Sequence, residues 1–442
     1  MPRWTLCAAL LAALAASAQT ADESFRAAGQ HPALLLTANR LRLLRRERER
    51  RSPRWQQFES LIAGQARMPE SGFAEALYFQ VTGDAAAGRR AVEWALGDQT
   101  DLRQLALVFD WCQPVMTEKQ SADLAAKLER SLAAPPASAG AGEMRSRVFA
   151  AIALADRAPE VSERELRRVV VEWWRGRIVP ALGRGQDVLP RAAQYALLEM
   201  LHAVRDNLNI GLHESAAGTF RQLAQVDLLS YYPDPYRAPE NDYRLPAVRG
   251  GKPGLREAET ARMADLALVA YDTNALGSQY LQGWLMHDRF LLHSPFGAPY
   301  EFLWANPYLP GLSYYHAPLS VHDPISGRLF IRSSWDDDAS WAGCFGGELQ
   351  AFSDGKPAVL GTESPKRLDF DRTVVAVVGG SLPLAFDSSV ETIFLVGLRP
   401  GHAYRLDTGH RKAREERADP GGIVELDFPD GFRGAIRVSE AR

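Results

Sequence analysis

Histidine and tyrosine are the side chains best suited to moving protons near neutral pH or to stacking on sugar rings. Here they are unevenly placed. Ten of the 13 tyrosines lie between Tyr231 and Tyr315, and five of the nine histidines fall between His213 and His322. Two loops carry most of them. The first is YYPDPYRAPENDYRLP, residues 231–246, with four prolines. It is too long for a simple connection, and long ordered loops are often functional. The second is HSPFGAPYEFLWANPYLPGLSYYHAP, residues 293–318. Aromatic faces such as those of Tyr232, Trp304 and Tyr315 suit the apolar faces of sugar rings. Neighbouring Glu240, Asn241 and His316 supply partners for hydroxyls. The alternative is that both loops are aromatic mortar between two domains.

Carboxylates are present in the same band: Glu240, Asp242, Asp288 and Glu301. A pair of carboxylates is what glycoside hydrolysis requires. No pair among them is distinguished by spacing.

The elements that must position these residues are of two kinds. From about residue 34 to 290, apolar residues recur at helical spacing, with Gly, Pro, Ser or Asp at the breaks. This pattern predicts about twelve helices, and antiparallel neighbours would make about six hairpins, an (α/α) toroid. After His316 the period changes to two. Some eight short strands, rich in Val, Ile and Phe, predict a small antiparallel β-sandwich. The expected layout is a leader over 1–18, a toroid over 19–316 and a sandwich over 317–442.

Composition narrows the function. The 51 basic residues nearly balance the 54 acidic ones, so a dedicated nucleic-acid binder is not expected. Forty-five of the basic residues are arginine and only six lysine. That bias fits a GC-rich genome, and it also fits arginine forks for carboxylate or sulfate ligands. The opening MPRWTLCAALLAALAASAQ has a basic start, an apolar run too short to span a bilayer and an Ala-Ser-Ala cleavage signal. It reads as the leader of a secreted, periplasmic protein with no membrane insertion. Cys112 and Cys344 remain after the leader and are expected as buried free thiols. Asp336, Asp337 and Asp338 lack an EF-hand spacing and read as a solvated turn. No metal or cofactor is expected.

With these residues in view, the chain resembles the heparinase II/III-like and alginate-lyase-like polysaccharide lyases. The stretch HPALLLTANRLRLLRRE, residues 31–47, is similar to the opening helix of that family. LFIRSSWDDDASWAGCF, residues 329–345, is similar to its first sandwich strand after the toroid. The resemblance implies cleavage of an acidic, uronate-containing polysaccharide by β-elimination. Such chemistry needs a group that offsets the uronate carboxylate, a base for the C5 proton and an acid for the leaving oxygen.

By that resemblance, Tyr243 in PENDYR would be base or acid, with Arg244 lowering its pKa and Asn241 contacting the carboxylate. Asn209 and His213 in DNLNIGLHESAAGTF would be the Asn–His element, although the family's pair is adjacent. Tyr315 and His316 at the domain junction are a third candidate pair. Each has a structural alternative. Tyr243 packs the loop while Arg244 pairs with Glu240 or Asp242, and His213 caps a helix start. The family's histidine-containing sandwich segment is replaced by CFGGELQAFSDGKPAVL, which has no histidine. Either the toroid and loops act alone, or elimination has been lost. The competing readings are a non-catalytic periplasmic glycan-binding protein and a glycoside hydrolase with paired carboxylates.

Overall fold

The structure, a computed structural model, describes residues 23–235, 242–287, 292–378, 384–409 and 413–441. The leader, Glu240, Asn241 and Asp288 lie outside the described residues. Helices come first and strands second, as the change of period predicts.

The helices are α1 (Ala38–Glu49), α2 (Pro53–Ala63), α3 (Ser71–Thr82), α4 (Ala85–Leu96), α5 (Leu102–Trp111), α6 (Glu118–Ala133) and α7 (Ala141–Ala153). Then come α8 (Pro159–Arg167), a wider-pitched turn Arg168–Ile178, α9 (Val179–Gly183), α10 (Arg191–Leu208) and α11 (Ala217–Leu229). The last are α12 (Leu255–Tyr271), α13 (Leu276–His287) and α14 (Ala298–Trp304). Their starts are written in the sequence. Thr37, Ser52, Asp84, Asp101 and Thr117 each accept a bond from a backbone N–H of the first turn. Thr117 and Gln120 complete a reciprocal capping box.

Contacts between alternate helices close a ring: α3, α5, α7, α10, α12 and α14 pack in succession, and α14 returns through α2 and α1 to α3. The remaining helices clad the outside. The inner helices are therefore enclosed. Leu105 to Cys112 are all buried, and so are Ala258, Ala261, Ala264 and Leu268 on α12.

The strands are β1 (Ser320–Asp323), β2 (Arg328–Arg332), β3 (Trp341–Phe345), β4 (Glu348–Ser353), β5 (Lys356–Leu360), β6 (Lys366–Phe370), β7 (Thr373–Val377), β8 (Leu384–Val396), β9 (Ala403–Asp407), β10 (Arg414–Arg417) and β11 (Val424–Glu440). They form one sheet in the order β1-β2-β3-β4-β5 and a second in the order β10-β9-β11-β8-β7-β6. One pair departs from the antiparallel expectation: β7 runs parallel to β8. The segment 341–352 is a hairpin, because Gly346 and Gly347 take φ of 57° and 76° and turn the chain. The stretch likened to a first sandwich strand supplies β2 and β3, and β1 precedes it.

Alternation within the first sheet explains how three layers stack. Phe330, Trp341 and Phe352 join the ring's core, while Leu329, Ile331, Ala342, Cys344 and Leu349 join a core shared with the second sheet. The first sheet is thus buried on both faces. The Trp341 indole donates to the Leu229 carbonyl at the end of α11 (2.8 Å), and α11 also packs on β1 and β2. Cys112 and Cys344 are buried and unpaired.

One polar clamp ties the sheets together. His322 on β1 bonds Glu425 on β11 through Nδ1 (2.7 Å) and Asp419 through Nε2 (2.8 Å). Burial pulls its pKa down, but the two carboxylates outweigh that and push it up to about 9. A group raised in the folded state stabilises fully below its unfolded pKa and loses that contribution as pH rises through the folded one. His322→Gln is expected to cost about 3 kcal/mol near pH 6, with the deficit shrinking markedly by pH 10. Urea unfolding of both proteins at the two pH values checks this, and an equal deficit at both contradicts a proton-linked clamp.

Candidate functional site

The junction of ring and sandwich is built around the root of the 231–246 loop. Tyr231 bridges Pro246, the Tyr232 N–H donates to the Leu245 carbonyl (3.0 Å), and the Ala247 N–H donates to the Ser230 carbonyl (2.8 Å). The two ends are thereby zipped as a short ladder, and successive side chains point to opposite faces. Tyr231 turns into the ring, where its hydroxyl donates to Asp265 (2.6 Å) and its ring lies 4.6 Å from that of Trp284. Tyr232 turns to the first sheet. Its hydroxyl donates to Gln350 (2.7 Å), and its ring stacks on Phe352 and meets Trp341 edge-on. At 2 % exposure Tyr232 cannot stack on a sugar; it is mortar, which corrects the sequence expectation.

Beneath the loop root lies a buried ionic cluster that the sequence reading missed. Arg191 opens α10 and reaches Asp227 on α11 and Asp265 on α12, the latter at 2.7 Å. Gln194 donates to Asp227 (3.3 Å) and accepts from Arg191 (2.6 Å). Burial pushes both carboxyls up against the pull of Arg191, and Asp265 adds to the rise of Asp227, which reaches about 6. A carboxyl poised there can hold or release a proton near neutral pH. The signal was present in the sequence. Asp227 stands between Val226 and Leu228, and Asp265 between Ala264 and Leu266, each an acid inside an apolar helical run.

This cluster floors a cavity of about 220 Å³ between α10, α11 and the first sheet. Arg191, Asp227, Ser230, Arg249, Arg328 and Phe345 are among its walls. Arg328 is held by Asp187 (2.8 Å). Arg249 is exposed and its stem crosses Gly346.

A second groove, of about 450 Å³, opens on the far side of β4 and is lined by Asp234, Asp337, Asp338 and Asp354. Arg244 reaches it, donating to Asp337 (3.1 Å) and to the Pro233 carbonyl (2.7 Å). Tyr243 is half-buried and packs against the ring's core. Arg332, Arg244, Tyr314, Asp336 and Asp337 share one electrostatic neighbourhood, and burial lowers Arg332 to about 10. Tyr315 is 53 % exposed there, stacked on Tyr314 with His287 nearby. His316 is exposed beside it. The aspartate run is therefore a turn with a specific partner in Arg244.

The other candidates lie elsewhere. His213 bonds the Tyr271 hydroxyl (3.0 Å) and lines a third cavity, of about 520 Å³, with Phe220, Gln222 and Tyr280. Asn209 is the left-handed C-cap of α10 at φ 57°, a position Asn tolerates well. The 293–318 segment is not an open loop: Ala298–Trp304 is a buried helix started by Pro299. Trp304 is 2 % exposed, donates to the Tyr195 hydroxyl (3.0 Å) and carries Arg40 at 4.3 Å. It serves the core rather than a ligand. Glu301 is bound by Arg262 (2.8 and 2.9 Å) and is equally enclosed, so it is not an available hydrolytic acid. The structure thus brings Arg244, Tyr315 and His316 to the junction face; His213 lines a separate cavity that reaches Ala317 and Pro318, Asn209 is a helix cap and Trp304 is in the core.

Comparison with protein-family models gives no match, and comparison with curated proteins gives none either.

Tyr232→Ala should open a hole between ring and sheet and cost about 3–5 kcal/mol, as deleting a buried aromatic does. Tyr232→Phe should cost about 1 kcal/mol for one lost hydrogen bond. Chemical denaturation measures both; a negligible loss for Tyr232→Ala would contradict the mortar role.

Proposed function

We propose that the chain is a secreted carbohydrate-active protein of the polysaccharide-lyase type, which takes a uronate-containing glycan at the face between ring and sandwich. The observation that supports this reading is the placement of the proline-stiffened loop. Its root is fixed between α11 and the first sheet, and Arg244 on it donates to Asp337, in the electrostatic surroundings of Arg332 and Tyr314, on which the exposed Tyr315 stacks. Tyr315 offers an aromatic face to a sugar. Tyr243 supplies a phenol for the C5 proton, and Arg244, next to it in the chain and paired with Asp337, supplies a cation. In the elimination, the base takes the C5 proton, the electrons form the C4–C5 double bond, and the C4–O bond breaks with protonation of the leaving oxygen.

Binding without cleavage is the second reading. It is favoured by the distance in role between His213, engaged with Tyr271, and Tyr243. It is also favoured by the acidic lining beside Arg244, which opposes a polyanion.

Ultraviolet absorbance of unsaturated uronate on incubation with alginate, heparan sulfate, hyaluronan, chondroitin and pectate separates the two. Elimination predicts a rise with at least one polymer, and Tyr243→Phe is expected to cut the rate by about 10²-fold or more. Full turnover by Tyr243→Phe removes Tyr243 from the chemistry. A flat trace with measurable binding supports the second reading.

A further inference from the structure

The cavity under the loop root has more to it than a gap between domains. Three arginines from different elements line it: Arg191 from α10, Arg249 from the turn after the loop, and Arg328 from β2. Two are already engaged, Arg191 by Asp227 and Asp265 and Arg328 by Asp187. Arg249 makes no ion pair among the described residues. The buried Arg191 Nε also has no acceptor among them. A buried N–H without an acceptor is costly, so it marks a place that can receive one. Apolar walls accompany these donors: Pro190, Val226, Phe330 and Phe345.

Arginine donors and apolar surface line one cavity, with Asp187 and Asp227 each already engaged by an arginine, and this combination matches a sugar ring that bears a carboxylate. Arginine forks fit a planar carboxylate two-pronged, and the ring's C–H face suits phenylalanine and proline. At about 220 Å³ the cavity falls below the ~300–1,000 Å³ of drug-sized pockets, so it holds one ring rather than a length of chain.

We propose that this cavity is a uronate subsite, in which Arg249 and Arg328 hold the carboxylate and the Arg191–Asp227 pair forms the floor. The assignment rests on the carbohydrate reading above and adds a contact for a second uronate, in a cavity separate from the groove that Arg244 reaches. It also carries a proton linkage. The groups facing Asp227 are Arg191 and Gln194 from α10, Asp265 from α12 with Tyr231 behind it, and Arg328 from β2, itself paired with Asp187. A second anion beside Asp227 favours its protonated form, whereas a uronate stays ionised well below pH 6. Affinity therefore rises as pH falls through about 6.

Calorimetric titration of the full chain with tetramers of galacturonate, glucuronate and mannuronate tests this, with cellotetraose and inorganic phosphate as controls. Wild type is expected to bind at least one uronate tetramer, about tenfold tighter at pH 5.5 than at pH 7.5. Arg249→Gln, at an exposed position, should weaken it about tenfold at unchanged thermal stability, and Arg249→Lys less. Asp227→Asn should flatten the pH dependence. Unchanged affinity in both Arg249→Gln and Arg328→Gln overturns the subsite and leaves the lyase reading to the absorbance assay. Equal binding of cellotetraose or phosphate overturns carboxylate recognition. A wild type that binds no tetramer and yields no absorbance overturns subsite and reading together.

Discussion

The inner helices of the ring are buried over most of their length, so the charges enclosed there have to be met by a partner on a neighbouring element. Much of the architecture follows from that constraint. Arg103 on α5 forks onto Glu199 of α10 (2.9 and 2.6 Å), and Arg145 of α7 adds a third bond (2.8 Å). The arginine–glutamate bond of Arg262 and Glu301 joins α12 to α14. Arg191 joins α10, α11 and α12 in the same manner. Breaking one partner of such a pair leaves an uncompensated buried charge, at about 3–5 kcal/mol. These pairs fix which helices are neighbours, and the junction inherits its geometry from the last of them.

The arginine bias takes on a meaning from this. Composition alone left genome bias and anionic ligands as rival accounts. A large share of the forks is directed inward, bidentate on Glu199, on Glu301 and, at the edge, on Glu23 and Glu75. Lysine, a point charge, would not span two carboxylate oxygens in that way.

The order of helices then strands was legible because periodicity records burial. The helices end with α14 at Trp304 and the strands begin with β1 at Ser320, on either side of the change of period near His316. Where burial is total, the signal fails. The aromatics of 293–318 read as a ligand loop because a short helix enclosed all round has no polar face to reveal it. Tyr232 and Trp304 were misplaced for the same reason: an aromatic with a polar tip looks alike at an interface and in a core. Asp227 and Asp265 went unnoticed because attention went to residue types in loops. An acid inside an apolar helical run is the rarer and more informative event.

The first sheet, buried on both faces, has a consequence for how such a chain can be divided and assembled. Phe330, Trp341 and Phe352 belong to the ring's core, while their neighbours belong to the second sheet's. The boundary near residue 316 is a change of architecture but not a seam. A cut there would strip the helical ring of its lid and leave the strands without their floor. The helices leave the ribosome first, and the apolar surface beside α11 stays uncovered until Phe352 has emerged. The strands are laid onto a template already made, and that template is closed only by the strands it receives.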